Sequence, residues 1–177
     1  MILTGKEIIN QYEKGNLFIS NFNKEKVNPN SYNLTLSDEV VIYENEIIDV
    51  KKEPKTKKFK IDKEKGFMLL PNKLYLCRTN EYTSTDEFVP MLEGRSSLGR
   101  LGLSVHVTAG FGDIGFSGTW TLEVTVTQPT IIYPNMEICQ IYYLVANGNK
   151  GIKYSGKYKG QCEVKKSLIC NEFKSMQ

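Results

Sequence analysis

The chain opens on one helical pattern and then changes to short β-prone runs. Thr4 and Glu7 have the spacing of a capping box, and Ile8, Ile9 and Tyr12 recur at helical intervals until Gly15. That pattern predicts one N-terminal helix within residues 1–15, centred on 4–14. Beyond it, Gly, Pro, Asn and Asp punctuate apolar runs at close intervals. The candidate strands are Tyr32–Leu36, Glu39–Tyr43, Phe67–Leu70, Leu74–Thr79, Phe88–Leu92, Leu103–Thr108, Thr119–Val126, Thr130–Tyr133 and Ile138–Leu144. Many short strands with turn signals between them point to an all-β sandwich, jelly roll or barrel. One run alternates cleanly: Thr119, Thr121, Glu123 and Thr125 share one face, and Trp120, Leu122, Val124 and Val126 the other. After Val145 the chain turns polar and rich in Gly and Lys. This last segment, 146–177, reads either as a frayed terminus or as a lid that folds over something.

Composition narrows the picture without deciding it. The 177 residues fit one domain, 1–177, long enough to bury a core without staples. Lys and Arg number 23 against 20 Asp and Glu, a net charge of +3, too mild to argue for a nucleic-acid partner. The basic run KKEPKTKKFK (51–60) reads as a solvated loop or hairpin. Four cysteines without metal-like spacing, two of them (Cys77 and Cys139) in apolar runs, predict free thiols in a reduced, cytoplasmic setting. No run approaches the length of a membrane span, so no membrane partner is expected.

Candidate chemistry concentrates between Leu92 and Glu123. In EGRSSLGR (93–100), Arg95 and Arg100 offer planar forks of donors suited to phosphate oxygens, and Ser96 and Ser97 add hydroxyls. Gly94 and Gly99 allow close backbone approach, although the octet also reads as a surface turn. AGFGDIGFSG (109–118) reads as a tight hairpin whose aromatics lie against a planar ligand or simply belong to the core, with Asp113 placed by the turn. Glu123 is either solvent-exposed or, lining a cavity, a proton shuttle. His106, the only histidine, reads as structural. No hydrolase triad accompanies it, and the H-x-E…P-C-x-x-C zinc-deaminase signature is missing, so no zinc is expected.

Taken in order, these stretches resemble the dCTP deaminase family, relatives of the dUTP pyrophosphatases. The resemblance is carried by NPNSYNLTL (28–36), RSSLGR (95–100), HVTAGFGD (106–113), GFSGTWTLE (115–123), MEICQ (136–140) and SGKYKGQ (155–161). It implies a distorted β-barrel of the dUTPase-like, β-clip kind and a homotrimer with sites between subunits. The substrates would be dCTP and dUTP, with Mg²⁺ bound through the phosphates and dTTP as an inhibitor. Arg95, Ser96, Ser97, Leu98, Gly99 and Arg100 would contact triphosphate and base, with Ser96 and Arg100 next to the chemistry. Asp113 would hold the deoxyribose region and help place the water for phosphate cleavage. Thr121, Leu122 and Glu123 would line the base pocket through backbone and side chain, with Glu123 shuttling protons, while Gln140, Tyr154, Lys157 and Gln161 close over the nucleotide.

The Gly110–Phe111 pair resembles the bifunctional members, which carry dCTP through to dUMP and pyrophosphate; a small Gly110 would leave room for a water. The alternatives are a deaminase that releases dUTP, or a nucleotide sensor without turnover. The chain departs from the family pattern in several places. Asn33 stands where Asp is frequent, the loop between Glu123 and Gln140 is short, CEVKK (162–166) replaces a Gly/Pro-richer run, and Tyr158 competes with Tyr154 for one position.

Overall fold

The computed structural model describes residues 1–107 and 109–174. Helix α1 is Gly5–Glu13, a little shorter than the pattern predicts. Half of the capping box forms, with Thr4 Oγ1 accepting from Glu7 N at 3.3 Å. Glu7 turns its carboxylate forward instead, taking Gln11 Nε2 at 2.5 Å and Asn10 Nδ2 at 3.1 Å. Those two donors hold its carboxyl below the ordinary pKa. Gly5 is needed for docking: its N donates to Pro29 O at 2.7 Å, and a Cβ there would stand 2.1 Å from Asn28 O.

Thirteen strands are present among the described residues. They are β1 (Leu17–Ile19), β2 (Tyr32–Thr35), β3 (Glu39–Tyr43), β4 (Thr56–Lys60), β5 (Phe67–Leu69), β6 (Tyr75–Arg78), β7 (Thr83–Thr85), β8 (Phe88–Gly94), β9 (Leu103–Val105), β10 (Ser117–Gly118), β11 (Thr121–Val126), β12 (Thr130–Ile132) and β13 (Glu137–Val145). Two short helices, α2 (Ser96–Gly99) and α3 (Cys170–Lys174), complete the set with a 3-10 turn at Lys24–Lys26. The strands form four sheets, ordered β1-β7-β10, β4-β3-β6-β11-β9, β12-β5 and β2-β13-β8. The fold is all-β, as expected, but none of these sheets closes into a barrel.

Every candidate run overlaps a strand, and the differences have local causes. Strand β4 lies in the basic run, so the hairpin reading is correct there. It pairs with β3 from Glu39↔Lys60 to Tyr43↔Thr56 at a sheet edge, where lysines discourage further pairing. Strands β1, β7 and β10 and helices α2 and α3 escape the pattern because each is five residues or fewer, too short to show a period. The expected run to Thr108 stops at Val105, and Thr108 itself lies outside the described residues.

All four sheets feed one core. Leu17 and Ile19 of β1, Leu34 of β2, Val40 of β3, Leu122 and Val124 of β11, Ile132 of β12 and Ile141 of β13 belong to a single buried cluster. Cys77 and Cys139 are free thiols inside it, and burial pushes the Cys77 thiol up to about 12.

One charge is buried beside this core. The Glu81 carboxylate accepts from Thr35 N at 2.8 Å, from Thr35 Oγ1 at 2.8 Å and from Lys26 Nζ at 2.9 Å. Burial works against the Lys26 ammonium, but the hydrogen bond and charge of Glu81 outweigh it and leave its pKa raised. The pair ties the 3-10 turn and the end of β2 to the corner before β7. Glu81→Ala strands both Lys26 and the Thr35 amide, and should lower the unfolding free energy by about 3 kcal/mol in urea titrations. A loss below about 1 kcal/mol would show that water replaces the carboxylate freely.

Candidate active site

A cleft of about 840 Å³ opens over the polar face of β11. Its floor carries Thr121 and Glu123, its rim the 109–113 turn, and its roof the C-terminal segment through Tyr154, Lys157, Tyr158 and Gln161. The floor follows from alternation: Leu122, Val124 and Val126 are buried in the core, so Thr121 and Glu123 must face the other way.

Glu123 is held by the lone histidine. His106 Nδ1 stands 2.5 Å from Glu123 Oε2, and His106 N donates to Glu123 O at 3.1 Å. A separation that short requires a proton between the two atoms. His106 Nε2 is buried without a partner, and a proton placed there would sit in a dry, unpaired position. Donation of Nδ1–H to the carboxylate fits both facts. His106 adopts φ +50°, a conformation unusual for a residue with a side chain. The reading of His106 as merely structural is therefore incomplete. The contact follows from strand register: Val105 pairs with Val124, which brings residue 106 beside residue 123.

The Gly-rich turn divides its two phenylalanines between core and surface. Phe116 belongs to the core, with its ring centroid 4.4 Å from that of Trp120. Phe111 is exposed at the cleft rim, and Asp113 lines the cleft with its carboxylate accessible. Gly110 does not line the cleft. A Cβ on Gly110 would meet the Leu92 carbonyl oxygen at 2.4 Å, so the residue is small because the turn lies flush on β8. The Gly112 position is similar, a Cβ there standing 2.8 Å from Pro90 O.

The roof is tied down in the same chain. Gln161 Nε2 donates to Thr119 O at 2.8 Å while Gln161 Oε1 is buried without a partner. Lys165 N donates to Thr121 Oγ1 at 3.1 Å, and Ser167 N to Tyr43 OH at 3.0 Å. Tyr154 N donates to Ile114 O at 2.8 Å, and Tyr154 OH accepts from Tyr158 N at 3.2 Å, so both tyrosines serve the same corner. Lys157 is ion-paired with Glu172 of α3, whose hydrogen bond raises the Lys157 pKa. Lys165 and Lys166 also line the cleft, cations that sequence reasoning missed because CEVKK departs from the expected run.

The remaining expected residues lie elsewhere. Arg95 caps α2 and its Nη2 pairs with Glu137 Oε2 at 2.9 Å. Ser96, Ser97, Gly99 and Arg100 follow on or beside that helical turn, outside the cleft lining. Gln140 Oε1 accepts from Ser31 Oγ at 2.8 Å on the β2-β13-β8 sheet. The Leu122 side chain is fully buried in the core, which leaves its backbone for any contact with a ligand, and Leu98 is partly buried against the same core. The chain thus presents two separate polar surfaces, one around Glu123 and one around Arg95.

Among the described residues no group of three or more His, Cys, Asp or Glu forms a protein cage for a metal ion. The exposed Asp113 carboxylate beside lysines suits a Mg²⁺ ion that arrives on phosphates and keeps most of its waters.

The family model described as dCTP deaminase-like matches residues 2–144. The chain belongs to that family. It is 56% identical over 173 residues to a protein of Clostridium beijerinckii named "dCTP deaminase, dUMP-forming", covering 98% of this chain and 99% of that one. A protein of the same name from Hathewaya histolytica is also 56% identical over 173 residues, with the same coverage of both chains. Among solved structures, the 2'-deoxycytidine 5'-triphosphate deaminase of Agrobacterium tumefaciens shares the fold, with a TM-score of 0.65 at 16% identity. That match covers 82% of this chain and 48% of the Agrobacterium chain, so the present chain spans about half that protein's length.

The packing of Gly110 can be tested directly. Leu92 N donates to Gly110 O at 2.8 Å, and Gly110→Ala should push the turn off β8. The Leu92 amide should then exchange with solvent at least about tenfold faster. Unchanged protection would mean that the turn has room at this position.

Proposed function

We propose that this chain converts dCTP to dUMP, ammonia and pyrophosphate, deaminating the base first and cleaving the triphosphate next. The observation that carries the proposal is Glu123, held by His106 on the floor of a cleft and left accessible to a ligand. Two relatives named dUMP-forming, each matched across nearly their whole length, support it.

The chemistry follows from what a carboxylate can do. Deamination at C4 adds one water and expels one ammonia. Glu123 takes a proton from the water as it attacks, passes it to ring N3, and then moves the hydroxyl proton to the departing nitrogen. A group placed to accept and then donate in this way contributes about 10²- to 10⁴-fold in rate. His106, donating to one oxygen, fixes the carboxylate so that its other oxygen faces the base. A second water, oriented by Asp113, attacks the α-phosphorus of dUTP and displaces pyrophosphate. Mg²⁺ on the phosphates supplies countercharge when bound, as do Lys157, Lys165 and Lys166.

The Arg95 surface completes the site in this reading. Arg95, Ser96 and Arg100 of one subunit meet the Glu123 cleft of another in a homotrimer, which is why one chain holds them apart. The protein acts in the cytoplasm, with dTTP competing for the same cleft.

Incubation with dCTP and Mg²⁺ should yield dUMP, ammonia and pyrophosphate in equal amounts, with dUTP present only in trace. Accumulating dUTP would reduce the function to deamination. Cleavage of dUTP without action on dCTP would leave a pyrophosphatase, and binding without turnover a sensor. Glu123→Gln keeps the size of the side chain and removes its basicity. Deamination should fall by at least about 10²-fold while dCTP binding, measured by calorimetry, changes only a few-fold. Retained turnover would remove Glu123 from the mechanism.

A further inference from the structure

The sheet β2-β13-β8 carries a chain of polar side chains that ends on Arg95. Asn28 Nδ2 donates to Ser31 Oγ at 3.1 Å and to Asn33 Oδ1 at 2.8 Å. Since Asn33 Oδ1 is engaged as an acceptor, the Asn33 amide nitrogen points the other way and donates to Glu137 Oε2 at 3.1 Å. The same carboxylate oxygen lies 2.9 Å from Arg95 Nη2, and Arg95 Nη1 donates to the Glu137 carbonyl at 3.3 Å. Glu137 therefore grips the guanidinium through side chain and backbone together. Asn33 is only 6% exposed, whereas the Arg95 and Glu137 side chains are each 32% exposed. The series is anchored inside the protein and reaches the surface at its charged end.

An ion pair this exposed contributes little by itself, because water and salt screen it and two long side chains lose freedom. A carboxylate fixed by a buried amide is different: its freedom is already gone, and it imposes one orientation on its partner. The guanidinium has five N–H donors, and Glu137 engages only part of that fork. The donors left over are presented as a set, ordered before a ligand arrives, so less freedom is lost on binding. The opposing effect is repulsion between the Glu137 carboxylate and an incoming anion. The two effects predict opposite outcomes when the carboxylate is removed.

We propose that Glu137 is a positioning residue for Arg95, held by the Asn33 amide, and that it orients the guanidinium for the nucleotide triphosphate. The proposal rests on the reading of Arg95 as a triphosphate ligand. Glu137 itself touches no substrate and acts only through Arg95. Its bonding needs set what replaces it: an amide oxygen at the same place still accepts from both Asn33 and Arg95, and a methyl group does not.

Steady-state kinetics with dCTP on Glu137→Ala, Glu137→Gln, Arg95→Ala and the double variant Glu137→Ala/Arg95→Ala provide the test. Glu137→Ala should raise KM about tenfold with much less change in kcat, since Glu123 is untouched. Glu137→Gln should recover most of that loss. In the Arg95→Ala background, Glu137→Ala should add nothing further to KM. A lowered KM in Glu137→Ala would show that the carboxylate only repels the substrate, and an equal increment with and without Arg95 would show a general structural role; either overturns the proposal.

A readout in nucleotide-free protein separates this proposal from the functional reading. Nitrogen-15 NMR of the Arg95 guanidinium should show hindered rotation in the wild type and in Glu137→Gln, and free rotation in Glu137→Ala. Asn33→Asp, which turns the donor facing Glu137 into an acceptor, should free it as well. Free rotation in the wild type would overturn the positioning role whatever the substrate. Hindered rotation combined with an Arg95→Ala variant of unchanged KM would instead overturn the role of Arg95 as a ligand.

Discussion

The register of β11 is the constraint on which the core and the cleft both depend. The strand is paired on both edges, to β6 from Thr121↔Arg78 to Val124↔Tyr75 and to β9 from Val124↔Val105 to Val126↔Leu103. Side chains on a strand alternate strictly, so a slip of one residue would carry Leu122 into the cleft and Glu123 into the core. Burial of Leu122 and Val124 resists that slip with about 1.5–3 kcal/mol each, and a carboxylate among apolar side chains would add several more. The face on which Glu123 stands is thus enforced by its neighbours in sequence, and His106 then fixes only the carboxylate.

The same economy does not extend to the second polar surface. Arg95 stands at the end of β8 as the cap of a one-turn helix, without an alternating strand to aim it. Side-chain hydrogen bonds from β2 and β13 take over that task, from Asn28 through Asn33 to Glu137. These two strands pair with a shift of register between Glu137 and Cys139. One functional surface is therefore set by backbone register and the other by a polar network. A network is sensitive to single substitutions in a way that register is not, because losing one member leaves the others unsatisfied.

How much of this was legible in the sequence depends on whether the signal is local. The α1 helix is announced by Thr4, Glu7 and the spacing of its apolar residues, and the face of Glu123 by plain alternation on β11. The sequence offers Phe116 both core and ligand contact, and the fold gives it both: it packs on Trp120 in the core and lines the cleft. Strand β4 is legible only as one branch of a loop-or-hairpin reading, because its lysines report an edge rather than a core, and edges carry no apolar period. The partnership of His106 with Glu123 spans 17 positions and rests on pairing of β9 with β11 that no local pattern reveals. Gly110 depends on a distant contact of the same kind. A missing side chain shows that something is close, and only the fold shows that a side chain there would meet the Leu92 carbonyl.

The C-terminal segment shows how a roof is built from residues with little apolar character. Val164 packs with Val41 and Leu76 in a small cluster separate from the main core, with Tyr43 against it. That cluster alone buries too few side chains to offset the cost of ordering the segment. Backbone donors supply the remainder: Lys165 N to Thr121, Ser167 N to Tyr43 and Leu168 N to Tyr158 each bond a side-chain oxygen. All three acceptors, Thr121, Tyr43 and Tyr158, also line the cleft. The groups that hold the roof are therefore the groups a ligand would reach first. Any ligand bonding Thr121 Oγ1 competes with the Lys165 amide, so occupancy of the cleft and anchoring of the segment are coupled through shared atoms, and the roof position becomes a function of what lies beneath it.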